Sequence, residues 1–224
     1  MKRKGVFIPG WAFWNYDFEY LRGCFRDFLD IKIVKPFKND IIELFEKEKE
    51  KLIVLGWSLG GMVVIDLFKR IKDKIAGIVF VNTCYKFIRS KKNERDLKAL
   101  VLGIKKDAEF TIKRFIQSVL YPFTLDSTAN KDFITKDYNK DELLWGLDFL
   151  REKNLEDNLQ IIDVPVLIVH GEKDIIIDKE NSKELRERLK HSKLVIFGDQ
   201  GHGIPLICPE RLAEEVKVWI NSMG

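Results

Sequence analysis

The chain has 224 residues, 46% of them hydrophobic and 12% aromatic, with a formal net charge of +4. That suits one globular domain with room for an insertion, and it excludes a disordered chain. No apolar run approaches the roughly 18 residues of a membrane span, and so small a net charge gives no argument for nucleic-acid binding.

In chain order, the basic start Met1–Lys4 is followed by only three apolar residues before Pro9, so Gly5–Pro9 reads as a first strand and not as a signal peptide. A helix is expected over 16–29, a short strand over 31–34, and a helix over 40–50 capped by Asn39 or Asp40. Residues 52–55 and 75–81 read as buried strands, with a helix after Ser58 between them. Then the alternation stops, and 83–161 is helical and polar, without clear strands. It resumes with a strand over 164–170, a helix over 179–190, a strand over 193–197 and a last helix over 209–221. Six strands alternating with helices predict an α/β fold with a mostly parallel sheet covered on both faces. Residues 1–82 and 162–224 would form that core, and 83–161 an inserted helical cap. Cys24, Cys84 and Cys208 are odd in number and widely spaced, so reduced thiols in a cytoplasm are expected, with no zinc site.

In such sheets the site lies at the carboxyl ends of the strands. The residues that follow the strands are Pro9-Gly10-Trp11, Ser58, Asn82, Gly171–Asp174 and Gly201-His202. Gly56-Trp57-Ser58-Leu59-Gly60 is a G-x-S-x-G pattern at a strand–turn–helix junction, which makes Ser58 a candidate nucleophile. A side chain at 56 or 60 would collide with the neighbouring strand and helix. A serine hydroxyl needs a base within reach. Of three histidines, His202 lies in a glycine-rich loop after the last strand, His191 in a polar helix end, and His170 at the end of a very apolar strand. His202 is the candidate base. Asp174, on the loop before it, is the candidate acid that orients the imidazole, with Glu172 and Asp178 as rivals. The backbone N–H groups of Leu59 and Trp11 are placed to receive a developing oxyanion.

Charge is uneven: 86–114 carries ten Lys/Arg against four Asp/Glu, which suggests an acidic partner or substrate, or simply a solvated helical surface. The aromatics Phe110, Phe115, Tyr121, Phe123, Trp145 and Phe149 supply apolar surface over the serine, suited to an acyl chain.

The serine turn, the order Ser…Asp…His and the strand rhythm together resemble the α/β-hydrolase superfamily over essentially the whole chain. The usual His-Gly after the first strand is Pro9-Gly10 here, and the antiparallel first hairpin is absent. Gly10-Trp11, Gly56–Gly61, Leu144–Leu150 and Gly201-His202-Gly203-Ile204-Pro205 with Cys208-Pro209-Glu210 resemble one branch, the pimeloyl-acyl-carrier-protein methyl ester esterases of biotin synthesis. That resemblance implies a monomeric cytoplasmic carboxylesterase with Ser58, Asp174 and His202 as triad and no metal or organic cofactor. It also places Lys113 and Arg114 where the family's cap receives an acidic acyl-carrier protein. The alternatives are a generalist carboxylesterase or thioesterase on small acyl esters, a C–C hydrolase on the same scaffold, and a non-catalytic binding protein.

Overall fold

Strands β1 (Arg3–Ile8), β2 (Leu29–Ile33), β3 (Leu52–Trp57), β4 (Ile75–Val81), β5 (Val166–Gly171) and β6 (Ser192–Phe197) form one sheet in the order β2-β1-β3-β4-β5-β6. Every neighbouring pair is parallel. The structure is a computed structural model that describes residues 2–124 and 138–223. All side chains of β3 and β5 are buried, as expected of strands covered by helices on both faces. The winding reverses between β1 and β3, so a crevice opens beyond their carboxyl ends.

Helices α1 (Glu19–Phe25), α2 (Lys38–Lys47) and α3 (Leu59–Ile71) are the first crossovers. Between β4 and β5 lie α4 (Lys91–Lys106), α5 (Ala108–Leu120), α6 (Lys140–Glu152) and the single turn α7 (Glu156–Leu159). Then α8 (Glu180–Arg188), the short α9 (Ile204–Ile207) and α10 (Pro209–Ser222) complete the chain. α1 packs against α10 and α2 against α3, while α4 packs against both α5 and α6. The starts of these last three are written in the sequence: Ser90, Asp107 and Asn139 accept backbone N–H bonds as side-chain caps. Residues 125–137, within the stretch expected to be helical, lie outside the described residues. Among the described residues, no helix is long and apolar enough to cross a membrane.

Three local expectations are corrected. The first helix stops at Phe25 instead of reaching residue 29, because Leu29 opens β2 opposite Arg3. Its wholly buried side chain fills the space over Gly5, where an added Cβ would lie 3.0 Å from Leu29 Cγ. α2 starts at Lys38 without a side-chain cap, so Asn39 and Asp40 sit inside its first turn, where Asp40 meets the positive end of the helix dipole. β3 continues through Gly56 and Trp57, which pair with Phe80 and Val81, so the sheet delivers Ser58 directly.

Candidate active site

Ser58 stands alone between β3 and α3 at φ 54° and ψ −119°. Such a conformation costs a serine about 1–3 kcal/mol and persists only where the surroundings impose it. Here they do. Ser58 N–H donates to Val81 O at 2.9 Å, and Ser58 O accepts from the Thr83 hydroxyl at 2.6 Å. The glycines allow the close approach: a Cβ at Gly60 would lie 2.1 Å from Ile8 O, and one at Gly56 2.6 Å from Gly61 Cα. Gly61 is a further requirement that the motif alone does not reveal, since a Cβ there would lie 2.5 Å from Thr83 Oγ1.

The loops after β5 and β6 bring Asp174 and His202 together. His202 Nδ1 lies 2.8 Å from Asp174 Oδ2, with both side chains shielded from solvent. Oδ1 of the same carboxylate accepts from the N–H groups of Ile176 (2.8 Å) and Ile177 (3.0 Å). Burial pushes the Asp174 carboxyl up, but the His202 imidazole, its hydrogen bond, His170 and the Ile177 N–H outweigh it and hold the group below its ordinary value. Of the rivals, Glu172 is exposed and ion-paired with Lys179, and Asp178 is exposed and accepts from the Glu180 N–H. Neither touches His202 among the described residues. Ser58 Oγ and His202 are not hydrogen-bonded to each other among these residues. A contact between a nucleophile and its base often tightens only in the substrate complex. Trp57, which the sequence reading passes over, donates its indole N–H to His202 O at 2.9 Å and lies beside the imidazole.

His191 is exposed at the end of the α8–β6 loop. His170 is wholly buried, with Nε2 3.0 Å from Ile177 O and 3.5 Å from Asp174 Oδ2. Burial lowers its basicity below the ordinary 6.5 more than Asp174 and Ile177 O raise it, so the neutral form is favoured on folding. Protonation therefore favours the unfolded chain, and stability is expected to fall as pH drops below 6.5. Thermal melting from pH 7 to pH 5 should show this loss, and His170→Gln should flatten it. An equally steep decline in that variant would assign it to other groups.

Trp11 and Leu59 flank Ser58, and neither backbone N–H has a partner among the described residues. The Trp11 indole donates to Leu143 O at 2.8 Å and packs edge-on against Phe115 with ring centroids 4.7 Å apart, which ties this loop to α5 and α6. Gly146 permits that approach, because a Cβ there would lie 2.6 Å from Trp11 Cδ1.

A cavity of about 910 Å³ runs outward from Trp11 and Ser58 between α4 and α5. Phe110, Phe115, Leu147 and Leu150 are among its walls, and Lys106 and Arg114 stand on its outer part. Of the candidate substrate-binding residues, Phe110 and Arg114 line it, with the Arg114 guanidinium 6.0 Å above the Phe110 ring. The other three candidates, Lys113, Trp145 and Phe149, do not. Lys113 points away and pairs with Glu109 at 2.8 Å. Trp145 and Phe149 pack on each other, and Trp145 packs on Phe37 with centroids 4.9 Å apart. The helical period explains this: Leu143, Gly146, Leu147 and Leu150 form the inner face of α6, which leaves 145 and 149 on the other side. Lys106 was not anticipated, because one lysine in a basic run carries no sign of which way it faces. Among the described residues, no cluster of three or more His, Cys, Asp or Glu side chains could hold a metal ion.

The family described as serine aminopeptidase S33, a hydrolase family, matches residues 31–205. The chain belongs to this family. It is a serine hydrolase of the esterase kind. It is 26% identical over 183 residues to the pimeloyl-[acyl-carrier protein] methyl ester esterase of Vibrio vulnificus, covering 78% of this chain and 72% of that one. The protein of the same name from Neisseria meningitidis serogroup B is 31% identical over 158 residues, 66% of this chain and 61% of its own. Among solved structures, an esterase from Exiguobacterium antarcticum superposes with a TM-score of 0.83 at 19% identity, covering 98% of this hydrolase and 92% of that chain. An esterase from Thermogutta terrifontis gives 0.78 at 16%, covering 100% and 91%. These likenesses show the α/β-hydrolase fold.

Proposed function

We propose that this hydrolase cleaves the methyl ester of a pimeloyl chain carried on an acyl-carrier protein, a step of biotin synthesis, and works in the cytoplasm. Ser58 attacks the ester carbonyl while His202 Nε2 takes its proton, and Asp174 stabilises the imidazolium. The oxyanion rests on the N–H groups of Trp11 and Leu59. Methanol leaves with the proton from His202, and water activated by the same imidazole then frees the acid. Helices α4–α6 act as a cap inserted into the core, and the cavity between α4 and α5 takes the acyl chain.

The observation that carries this reading is the position of Ser58: a strained, buried serine lining an aromatic-walled cavity whose exposed part bears Lys106 and Arg114. Neither cation has an ion-pair partner among the described residues, which suits a negatively charged carrier. The names of the relatives from Vibrio vulnificus and Neisseria meningitidis support the same substrate.

The test compares pimeloyl-carrier-protein methyl ester with p-nitrophenyl butyrate. Lys106→Glu/Arg114→Glu is expected to lower kcat/KM on the carrier substrate at least about tenfold more than on the small ester. Lys113→Glu, in a residue already paired with Glu109, should change that ratio little. Cleavage of the small ester alone would leave a general carboxylesterase. Preference for an aminoacyl p-nitroanilide would move the assignment to peptidase chemistry.

A further inference from the structure

Asn82 directly follows β4, and three features of it stand out. It is wholly buried, it is one of three non-glycine residues at positive φ (45°) among the described residues, and its amide Nδ2 donates twice. One bond runs to Asp174 Oδ2 at 2.7 Å and the other to Gly201 O at 3.2 Å, the carbonyl just before His202. The amide therefore bridges the two loops that present the acid and the base. Its own backbone is set by the sheet, with Asn82 N–H donating to Val169 O at 2.9 Å. Its Oδ1 is buried without a hydrogen-bond partner among the described residues. An orphaned buried acceptor is costly, so packing alone would be better served by an apolar side chain.

We infer that Asn82 is a positioning residue for hydrolysis: its amide holds the Asp174 carboxylate and the His202 loop in register, and shares Oδ2 with the imidazole. The inference rests on the proposed roles of Asp174 and His202. Sharing has a chemical consequence. A second donor on Oδ2 draws electron density from the bond to His202 Nδ1 and weakens the hold of the carboxylate on the imidazolium. Asn82 thereby sets how firmly Asp174 holds the ring that serves as base. The other titratable groups facing this pair are His170, from β5, and the Cys84 thiol, which follows β4 and is pushed up to about 12 by burial. Neither replaces the amide, since His170 Nε2 lies farther from Oδ2, at 3.5 Å, and Cys84 Sγ faces Met62 Sδ at 3.8 Å.

The test is the pH dependence of kcat/KM for p-nitrophenyl butyrate in Asn82→Gly, which removes the amide and tolerates the left-handed backbone. Loss of one hydrogen bond to the carboxylate should move the acid limb of the profile to higher pH by about half a unit to one unit. The downfield proton resonance of the His202–Asp174 bond should shift further downfield. Asn82→Ala, which keeps a Cβ at this strained position, is read in the same way should the glycine variant fold poorly. A merely structural role would lower the plateau and leave the limb and the resonance in place, and that result would overturn the inference. Asp174→Ala and His202→Ala, run beside them, separate the two failures. If they keep full activity, the triad reading itself fails. If they lose it while the Asn82 limb stays fixed, only the role of Asn82 is lost.

Discussion

Alanine at Ser58 is expected to lower kcat on p-nitrophenyl butyrate by about a millionfold, with the melting temperature almost unchanged. The reason is local. Alanine occupies the same left-handed position with the same Cβ, so the turn keeps its Val81 and Thr83 bonds while the nucleophile disappears. The other serine and threonine hydroxyls on the cavity wall are already committed to helix carbonyls: Thr111 donates to Asp107 O and Ser118 to Arg114 O. Steady-state hydrolysis, together with loss of labelling by a fluorophosphonate, checks the prediction. Residual turnover above a few per cent of wild type would place the nucleophile elsewhere.

Asn in place of Asp174 should cost about ten-thousandfold in kcat, whereas Glu172→Gln should cost little. The amide of the replacement would donate to His202 Nδ1, drive the ring proton to Nε2 and leave that nitrogen unable to accept from Ser58. Glu172 lies exposed on the same loop and is engaged by Lys179, so neutralising it removes only a surface ion pair. The two variants are compared by kcat on the same ester, with circular dichroism to show that both are folded. A mild effect at 174 beside a severe one at 172 would reverse the choice of acid.

These residues also show how far the chain could be understood before its fold was known. The strands were legible because a parallel sheet covered on both faces demands unbroken apolar runs, as in Leu52–Leu55 and Val166–Val169. Ser58 was legible because the demands on it are local, a strand, glycines and a helix within a dozen residues. Asp174 and His202 could be ranked by their places after β5 and β6, but Glu172 stood on the same loop with the same charge. Only the folded loops turn Asp174 towards His202, while Lys179 engages Glu172.

The stretch 83–161 was the least legible part, for a physical reason. Helical periodicity shows that Trp145 and Phe149 share a face, but not whether that face meets the serine or the Phe37 side. That choice belongs to contacts more than a hundred residues apart in the chain, such as the Trp11 indole on Leu143 O and the close approach of Trp11 to Gly146. Likewise Lys113 and Arg114 are neighbours in a basic run, yet one turns to Glu109 and the other to the cavity. By itself the sequence determined the fold class, the serine turn and the short set of groups eligible for acid–base work, because local backbone chemistry and hydrophobic period suffice for those. Tertiary structure alone decided which carboxylate faces the imidazole, which face of α6 lines the cavity and that Asn82 joins the two loops, because those depend on packing between segments distant in the chain.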